Sequence, residues 1–353
     1  MKSYISEKKK RISSYLSEFI SGYGPTLESI HPIGENLSSK LLSFTLKGKM
    51  VRGALVSLGY ELFSPPNDTV TIPLGAVQEL FQSALLIHDD IMDRDRHRRG
   101  SPSIYAEYIT LAEQKKFTEP VHTGEALGIC AGDIAYFLAF EILSKNSLPA
   151  HIITRLLTLC SKELTLVGIA QMVDVLWGSD SELRSVDEII HLYTYKTARY
   201  TFSLPLMAGA LSAGENEEAV SSLEAIGTQL GILFQIKDDE LGMFGGQDTI
   251  GKPVGSDIRE GKKTLYYHHL MNSTECEDKQ YLLSLFGNSN ITNEDIGFVQ
   301  KRIVQLGIKE KVEATVKAIA EDVRREITKL ACRNEEARGL LMNFLAYSLE
   351  RTH

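Results

Sequence analysis

Apolar residues recur along this chain at the spacing of an α-helix, and this periodicity restricts the fold more than any other feature. One example is segment 74–93. Its helical positions i, i+3, i+4, i+7, i+8 and i+11 are occupied by Val77, Leu80, Phe81, Ala84, Leu85 and His88. Similar patterns run through 36–60, 124–145, 151–178, 185–212, 217–241, 264–271, 293–320 and 321–350. Strand-like alternation is nearly absent, and no Asn-Gly or Asp-Gly hairpin turn separates apolar runs. We therefore predict an all-α protein.

The overall composition excludes several classes of protein. The chain shows no internal repeat, low-complexity tract or linker, so we expect one domain over residues 1–353. A net charge of −8 gives no global basic field for nucleic acid. The apolar runs fall short of a bilayer span and no signal peptide is recognisable, so we expect no integral membrane segment. The cysteines are scattered without metal-ligand spacing, which favours a cytoplasmic protein.

The first motif that carries chemistry is HDDIMD at residues 88–93, at the end of a periodic segment. At 3.6 residues per turn, Asp89 and Asp93 project from the same side of a helix, one turn apart. Two carboxylates in this arrangement repel each other unless a cation lies between them. Hard oxygen ligands of this kind suit Mg²⁺. Taken alone, the motif is also compatible with a solvated acidic helix end.

A second acidic motif, FQIKDDE at residues 234–240, also ends an amphipathic helix. Leu230, Phe234 and Asp238 follow i, i+4, i+8 spacing, so Asp238 continues an apolar stripe. Two such helices resemble opposite walls of one pocket, apolar at its base and metal-binding at its mouth. Solvation alone does not explain why the pattern occurs twice. We predict a bundle of about ten or more helices around a central apolar cavity.

Basic residues and glycines accompany these motifs. Arg supplies a bidentate fork and Lys a point charge, which are the two usual ways of holding phosphate. The candidates are Lys47, Lys49, Arg52, Arg98, Arg99, Lys196, Lys252, Lys262 and Lys263. Each of them alone is more often a solvated surface group. The stretch 242–263 contains six glycines beside three of these lysines, which favours a mobile loop that handles phosphate.

In this order the motifs resemble those of the trans-prenyltransferases, the polyprenyl diphosphate synthases of the farnesyl and geranylgeranyl type. The resemblance covers about residues 35–270 and extends beyond the two acidic motifs. It rests on GKMVR at 48–52, LIHDDIMD at 86–93, RRGSPS at 98–103, Gln171 with Asp174, Lys196-Thr197, FQIKDDELG at 234–242 and GKPVGSDIREGKKT at 251–264. It implies the all-α isoprenoid synthase fold and a homodimer.

The resemblance also implies a role for each matching residue. Asp89, Asp93 and Asp238 would ligate Mg²⁺, about three ions per active site with Mn²⁺ as a substitute, and Asp90 and Asp239 would act from outside the ligand shell. The residues that would grip the allylic diphosphate are Arg98, Lys196, Lys252 and Lys262. Those that would hold isopentenyl diphosphate are Lys49, Arg52, Gln82 and Arg99. Those that would line the carbocation region are Thr197, Phe234 and Gln235.

The implied activity is a Mg²⁺-dependent condensation of isopentenyl diphosphate with an allylic diphosphate. Product length should depend on Phe81, Ala84 and Leu85, which lie below Asp89 on the same helix. Family members that stop at fifteen carbons usually place an aromatic residue there, so Ala84 predicts geranylgeranyl (C20) diphosphate, with C25–C30 open. Tyr136 or Phe137 would close the floor of the cavity. Ala84 is equally compatible with a small residue needed only for helix packing.

Two other functions share part of this pattern. A class I terpene cyclase has the same aspartates but needs no grip for isopentenyl diphosphate, so Lys49, Arg52 and Arg99 count against it. A non-catalytic subunit of a heteromeric synthase typically loses one acidic motif, whereas both are present here. The chain departs from the family pattern at Gly53, where Pro is usual, at Gln82, where His is frequent, and at Gly242, which replaces the third aspartate of the second motif.

Overall fold

The computed structural model describes residues 1–180, 182–245, 255–274 and 276–350, and these are almost wholly helical. The all-α prediction is therefore confirmed. The chain divides into two compact units, Met1–Leu159 with Pro205–Val220 (unit one) and Cys160–Leu204 with Ser221–His353 (unit two). The single domain over residues 1–353 and the central apolar cavity stay predictions.

The helices and strands follow one another with short connections. The first are α1 Lys2–Glu28, α2 Ile33–Leu46, α3 Val51–Glu61, α4 Asp68–Met92, β1 His97–Arg98, β2 Ser101–Pro102, α5 Ile104–Gln114, α6 Pro120–Ser144 and α7 Ala150–Gly178. There follow α8 Val186–Tyr193, a π-helix Thr194–Ser203, α9 Leu204–Ser212 and α10 Glu217–Phe244. The last are α11 Ser256–Arg259, α12 Leu265–Ser273, α13 Cys276–Leu285, α14 Asn293–Gln305, α15 Ile308–Lys329 and α16 Glu335–Leu349.

The helix boundaries differ from the sequence prediction where the backbone turns. The predicted segment 36–60 is two helices, because Met50 adopts a left-handed φ of 55° directly before α3. The segment 185–212 is likewise interrupted by the π-helix between α8 and α9. Helices α1, α5, α11 and α13 were not predicted, and α11 lies in the stretch 242–263 that was predicted to be a loop. The periodicity thus identified helical regions but not the breaks at which candidate site residues lie.

In unit one, α3 and α4 approach closely through a pair of glycines. A Cβ on Gly53 would lie 3.1 Å from the carbonyl oxygen of Gly75 and 2.5 Å from Cδ1 of Ile12. A side chain at position 53 would displace the end of Ile12 and make a tight contact with α4, so glycine favours this close approach. Glu79 lies one turn after Gly75 on α4, so the close approach brings its carboxylate to the N-terminus of α3.

A minimal hairpin follows α4, which no turn pattern in the sequence had predicted. Strands β1 and β2 pair antiparallel with Arg98 opposite Ser101. The turn residues Arg99 and Gly100 have φ values of 53° and 72°. Two successive positive φ angles characterise the type I′ turn, which matches the twist of a hairpin. Because Arg98 ends β1 and Arg99 lies in the turn with a left-handed φ, the two neighbouring side chains can contact different partners.

Four helices in the described part of the chain are long and apolar enough to cross a membrane by length and composition: α4, α6, α7 and α10. This differs from our expectation, which considered only uninterrupted apolar runs. The apolar window of α4 is 83% buried within the protein, whereas those of α6 and α7 are 44% and 28% buried. Helix α4 therefore contributes to the core, while α6 and α7 leave apolar side chains exposed.

Candidate active site

The carboxylates at the end of α4 converge on a single arginine. We define the first acidic cluster as Asp89, Asp90, Asp93 and Asp95. Arg98 Nε donates to Asp90 Oδ1 at 2.6 Å, and its Nη2 lies 3.3 Å from Asp89 Oδ2 and 3.5 Å from Asp95 Oδ2. The hairpin turn places this guanidinium back against the helix end. One cation thus serves three carboxylates of the cluster.

Asp89 and Asp90 differ sharply in exposure. The Asp90 side chain is 1% exposed and that of Asp89 is 23% exposed. Burial raises the pKa of Asp90 to about 7, although the charge of Arg98 acts in the opposite direction. The Asp93 N–H donates to the Asp89 carbonyl at 2.8 Å, which continues the helical turn and keeps Asp93 above Asp89. The cluster therefore presents Asp89 and Asp93 outward, while Asp90 anchors Arg98.

Arg99 lies apart from these carboxylates. Its Nη1 donates to the Phe44 carbonyl at 3.1 Å, and its guanidinium carbon lies 5.7 Å from the centre of the Phe44 ring. Lys47 on the same side donates to Ser101 Oγ at 2.7 Å. One cleft is lined by Lys40, Phe44, Lys47, Arg98, Arg99 and Glu107. The two adjacent arginines therefore have different hydrogen-bond partners, although both line this cleft.

Glu79 is a site residue that the sequence did not reveal. It is 3% exposed, and its Oε1 accepts the backbone N–H of Gly53 at 2.9 Å. Burial raises the pKa of Glu79, while the charges of Arg52 and Arg99 lower it. This carboxylate therefore fixes the start of α3 and faces two arginines predicted to bind isopentenyl diphosphate. The only signal in the sequence was a carboxylate on an apolar helix face.

Gln82 lies one turn beyond Glu79 on α4. It is 7% exposed, and within the described residues its Oε1 is buried without a hydrogen-bond partner. A buried amide without a partner is unusual in a folded protein. This oxygen can only accept a hydrogen bond and so cannot itself bind a diphosphate, and the use of Gln82 in holding isopentenyl diphosphate stays a prediction.

In unit two, a chain of hydrogen bonds joins three helical segments. Thr197 Oγ1 donates to Gln235 Oε1 at 2.8 Å, and Gln235 Nε2 donates to Asp239 Oδ1 at 2.8 Å. The Tyr193 hydroxyl donates to Asp239 Oδ2. The structure therefore brings together three predicted site residues, Thr197, Gln235 and Asp239, and adds Tyr193, which was not predicted.

The second acidic cluster, which we define as Asp238 and Asp239, repeats the division of the first. Asp238 is exposed, while Asp239 is 5% exposed. Burial raises the pKa of Asp239 well above its usual range, and the charge of Asp257 raises it further. In both clusters the first aspartate is accessible and the second is buried among hydrogen-bond donors. This arrangement is compatible with ligand roles for Asp89 and Asp238.

The π-helix carries Lys196 and Thr197. A Cβ on Gly231 of α10 would lie 2.3 Å from Cα of Ala198, so only glycine permits this approach. Gly231 and Gln235 lie one turn apart on α10, and the contact therefore brings Thr197 within reach of the Gln235 amide. Departures from α-helical geometry of this kind are frequent at functional sites.

The predicted cationic residues of unit two are paired with carboxylates. Lys196 Nζ forms an ion pair with Asp174, and Lys262 Nζ lies 2.7 Å from Glu260 Oε2. Lys252 lies outside the described residues. The ring of Phe234 lies 5.2 Å from that of Phe202 in the core of the unit.

Comparison with known proteins assigns the acidic clusters and the basic residues around them to one protein family. The family model described as polyprenyl synthetase matches residues 35–303, about three quarters of the chain. The chain belongs to the polyprenyl synthetase family. It is therefore a prenyltransferase, as its motifs predicted.

The similarity of this synthase to its relatives extends along most of the chain. It is 35% identical over 261 residues to a short chain isoprenyl diphosphate synthase of Methanocaldococcus jannaschii, which covers 73% of each protein. It is 30% identical to a geranylgeranyl diphosphate synthase of Sulfolobus acidocaldarius, over 83% of this chain and 81% of the relative. A geranylgeranyl pyrophosphate synthase from Corynebacterium glutamicum, solved with isoprenyl diphosphate and magnesium, superposes with a TM-score of 0.91 at 28% identity over 99% of both chains.

Aromatic side chains pack below the first acidic cluster of the synthase. Phe81 is 1% exposed, and its ring lies 5.2 Å from that of Phe140 and 6.1 Å from that of Tyr136. Phe137 is 69% exposed, so it is Tyr136 that contacts Phe81. Ala84 is fully buried at 0% exposure. Phe81, Tyr136 and Phe140 therefore form an aromatic cluster below Asp89, while a cavity floor at this place and the control of product length stay predictions.

The carboxylates of the synthase fit a divalent cation. No group of three or more His, Cys, Asp or Glu side chains converges as a metal site within the described ranges. Mg²⁺ commonly takes only one or two carboxylates and completes its shell with water and substrate phosphate. Asp89 and Asp93 offer oxygens on one helix side, and the buried Oδ2 of Asp90 has no hydrogen-bond partner among the described residues. These carboxylate oxygens suit a magnesium ion that is bound together with a diphosphate.

Proposed function

We propose that this synthase condenses isopentenyl diphosphate with an allylic diphosphate to give a trans-prenyl diphosphate of geranylgeranyl (C20) length. The observation that carries the proposal is that Arg98 and Arg99 have different partners. Arg98 lies on the first acidic cluster, whereas Arg99 lies with Arg52 near Glu79. A reaction between two diphosphates needs two separate grips, which a cyclase acting on one diphosphate does not need.

The allylic diphosphate is held by Arg98, Lys196 and Lys262, with Lys252 completing the set. Arg98 is already oriented by Asp90, so little side-chain freedom is lost when the substrate binds. The ion pair of Lys196 with Asp174 orients its ammonium group in the same way. Asp89, Asp93 and Asp238 would hold Mg²⁺, which would supply positive charge to the departing diphosphate. We propose about three such ions, with Mn²⁺ as a substitute.

Isopentenyl diphosphate is held by Lys49, Arg52, Arg99 and Gln82. Glu79 fixes the backbone at the start of α3, where Arg52 lies, through the N–H of Gly53. The contact of Arg99 with the Phe44 carbonyl directs the remaining donors of its guanidinium away from the first acidic cluster. A grip built from fixed donors of this kind orients the substrate double bond toward the allylic carbon.

The reaction then needs little covalent chemistry from the protein. The allylic carbon–oxygen bond breaks, the double bond of isopentenyl diphosphate forms the new carbon–carbon bond, and the lost proton passes to the departing diphosphate. The Thr197 hydroxyl and the Gln235 amide are fixed dipoles beside the developing cation. Phe234 offers a ring face to it and helps to exclude water.

A direct test is to incubate the protein with labelled isopentenyl diphosphate, Mg²⁺ and dimethylallyl, geranyl or farnesyl diphosphate. We expect a labelled geranylgeranyl product that disappears with EDTA and falls at least about 100-fold in Asp89→Asn. Absence of product with every primer would refute the proposal. Diphosphate release without isopentenyl diphosphate would indicate a cyclase, and activity that requires a second protein would indicate a subunit of a heteromeric synthase.

Product length is tested by Ala84→Phe. We expect the main product to shorten from C20 to C15, because the new ring would fill the space above Phe81 and Tyr136. Ala84 is fully buried, so overpacking should also cost about 1–3 kcal/mol of stability, which thermal unfolding would detect. Ala84→Ser adds little volume and should retain the C20 product. An unchanged product in Ala84→Phe would exclude this position from the control of length.

Exposed apolar residues support our proposal of a homodimer. Ile129 and Phe137 on α6 are 49% and 69% exposed, and Ile169 and Met172 on α7 are 58% and 63% exposed. Exposed apolar surface on long helices commonly marks an interface. Sedimentation velocity should give a dimer for the native chain and a smaller species for Phe137→Glu. We also propose a cytoplasmic location, which fractionation of expressing cells would test.

A further inference from the structure

The π-helix contains a buried arginine to which the proposed reaction gives no role. Arg199 Nε donates to Glu163 Oε2 at 2.8 Å and its Nη2 donates to Glu163 Oε1 at 2.6 Å, the bidentate geometry of a strong ion pair. The same Nη2 lies 2.6 Å from Glu224 Oε1. The Arg199 side chain is 11% exposed and that of Glu163 is 0% exposed, so solvent screens their contact little.

Arg199 joins the π-helix to two other helices of unit two. Glu163 lies on α7 and Glu224 lies on α10. The guanidinium carbon also lies 5.8 Å from the centre of the Tyr195 ring, on the residue that precedes Lys196. A π-helix is rarely longer than a single turn, so this one of ten residues needs contacts from outside to hold it. Arg199 supplies such contacts on two sides.

On α7, the partner of Arg199 shares a helix face with the partner of Lys196. Glu163 precedes Asp174 by eleven residues, which is about three helical turns. Both carboxylates therefore point from the same face of α7 toward the π-helix, where Asp174 pairs with Lys196 and Glu163 with Arg199. The two ion pairs fix the π-helix along α7.

The same spacing recurs on α10. Glu224 precedes Gln235 by eleven residues, so these two side chains also share one face. Gln235 Oε1 accepts the Thr197 hydroxyl at 2.8 Å, while Glu224 pairs with Arg199. On both helices, the contact made by Arg199 thus lies about three turns before the contact made by a site residue.

We infer that Arg199 is a positioning residue, which sets the register of the π-helix against α7 and α10 and thereby places Lys196 and Thr197. The inference rests on the proposed function, because that function puts Lys196 at the allylic diphosphate and Thr197 beside the carbocation. A π-helix closes i→i+5 hydrogen bonds where an α-helix closes i→i+4 bonds. Relaxation toward α-helical geometry would therefore turn both side chains away from their partners.

The test separates positioning from stability. Arg199→Met leaves Glu163 buried without its cation, so it should unfold at a lower temperature, and Arg199→Met/Glu163→Gln should recover most of this loss because no buried charge is left unpaired. Lys8→Met is the matched control in unit one. The Lys8 side chain is 6% exposed and also joins two carboxylates, Glu61 at 2.7 Å and Asp68 at 3.3 Å.

Steady-state kinetics give the first measurement. A misplacement of about 1 Å can cost about 100-fold in rate, so we expect kcat to fall about 10–100-fold in Arg199→Met and in the double variant. The KM for the allylic diphosphate should rise about tenfold in both, while the KM for isopentenyl diphosphate, whose proposed ligands lie in unit one, should change less than about threefold. Lys8→Met should lose stability but keep all three kinetic constants.

Amide hydrogen exchange of residues 194–203 in the substrate-free protein gives the second measurement. We expect faster exchange there in both Arg199 variants than in the native protein or Lys8→Met. Native kinetic constants in the double variant, or native exchange of residues 194–203 in it, would overturn the inference. If Arg199→Met does not fold, the double variant decides alone. A native protein that forms no condensation product would refute the proposed function instead, and the exchange measurement would still test the register.

Discussion

The two acidic clusters use one plan with different partners. In each, the first aspartate is accessible and the second is buried. Asp90 is held by the cation Arg98, whereas Asp239 is held by the neutral donors Tyr193 and Gln235. The first cluster therefore carries its own compensating charge before any ligand binds. In the second cluster the charge of Asp257 opposes ionisation of Asp239, so this cluster should depend more strongly on a metal ion.

This difference predicts unequal effects when the partner of each buried aspartate is removed. Loss of one member of a buried ion pair leaves an uncompensated charge and typically costs about 3–5 kcal/mol. Loss of one neutral hydrogen-bond donor typically costs about 1–3 kcal/mol. Variants of Arg98 should therefore be more severe than variants of Tyr193, in stability as well as in activity.

The largest expected effect is that of Arg98→Met. The Arg98 side chain is 15% exposed, so its removal should lower the free energy of unfolding by about 3 kcal/mol and reduce activity more than about 100-fold. Urea denaturation and the condensation assay measure the two quantities. The double variant Asp90→Asn/Arg98→Met should recover most of the stability but not the activity. Equal instability of the single and double variants would contradict a charge pair in the first cluster.

Glu79→Gln should affect one substrate selectively. It keeps the shape of the side chain but removes the charge facing Arg52 and Arg99, so we expect the KM for isopentenyl diphosphate to rise about tenfold, equivalent to about 1.4 kcal/mol. The KM for the allylic diphosphate should change less than threefold. Glu61 on α3 is a matched control, because it is a buried carboxylate paired with Lys8 at 2.7 Å. Glu61→Gln should reduce stability without changing either KM.

Tyr193→Phe removes one donor from Asp239 and should cost about 1–2 kcal/mol of stability. It should also raise the Mg²⁺ concentration required for half-maximal activity, because Asp239 would be less firmly oriented. Ser203→Ala, which removes a buried hydroxyl in the same unit, is the control and should leave the Mg²⁺ requirement unchanged. A loss of stability in Tyr193→Phe as large as that in Arg98→Met would remove the contrast between the clusters.

The smallest expected effect concerns pH. Burial, followed by the charges of Lys311 and His268, lowers the pKa of His269 to about 4. The unfolded chain takes up a proton below its ordinary value of about 6.5, so stability present above that pH is lost as the pH falls toward 4. His269 lies on α12, whose Leu265 N–H donates to the Tyr193 hydroxyl at 3.2 Å. Acid should therefore weaken the support of the second cluster.

Denaturation at pH 7.5 and pH 5 would measure this effect. The native protein should lose about 1 kcal/mol more than His269→Gln between the two values. Identical losses in both proteins would show that His269 does not contribute to the pH dependence.

The sequence allowed much of the fold and part of the site to be predicted, because both depend on local spacing. The i, i+4 relation of Asp89 and Asp93 follows from helix geometry, and α4 does end at this motif. The apolar periodicity likewise identified α10 with Asp238 near its end. The resemblance of ordered motifs led to the family, which comparison with known proteins confirmed.

What the sequence did not reveal depends on contacts between distant residues. Nothing in the spacing connects Glu79 to Gly53, which meet because α3 and α4 approach through paired glycines. Tyr193 reaches Asp239 only because α8 and the π-helix pack against α10. The Asp257 carboxylate of α11 lies beside Gly242, a contact that the departure from the motif at position 242 did not reveal.

The central claim is that two diphosphates react together on this protein. The most direct measurement is the release of inorganic diphosphate from geranyl or farnesyl diphosphate, with and without isopentenyl diphosphate, in parallel with incorporation of label. The account predicts that release requires both isopentenyl diphosphate and a divalent cation, with one diphosphate released for each isopentenyl unit incorporated. Release at the same rate without isopentenyl diphosphate would contradict it.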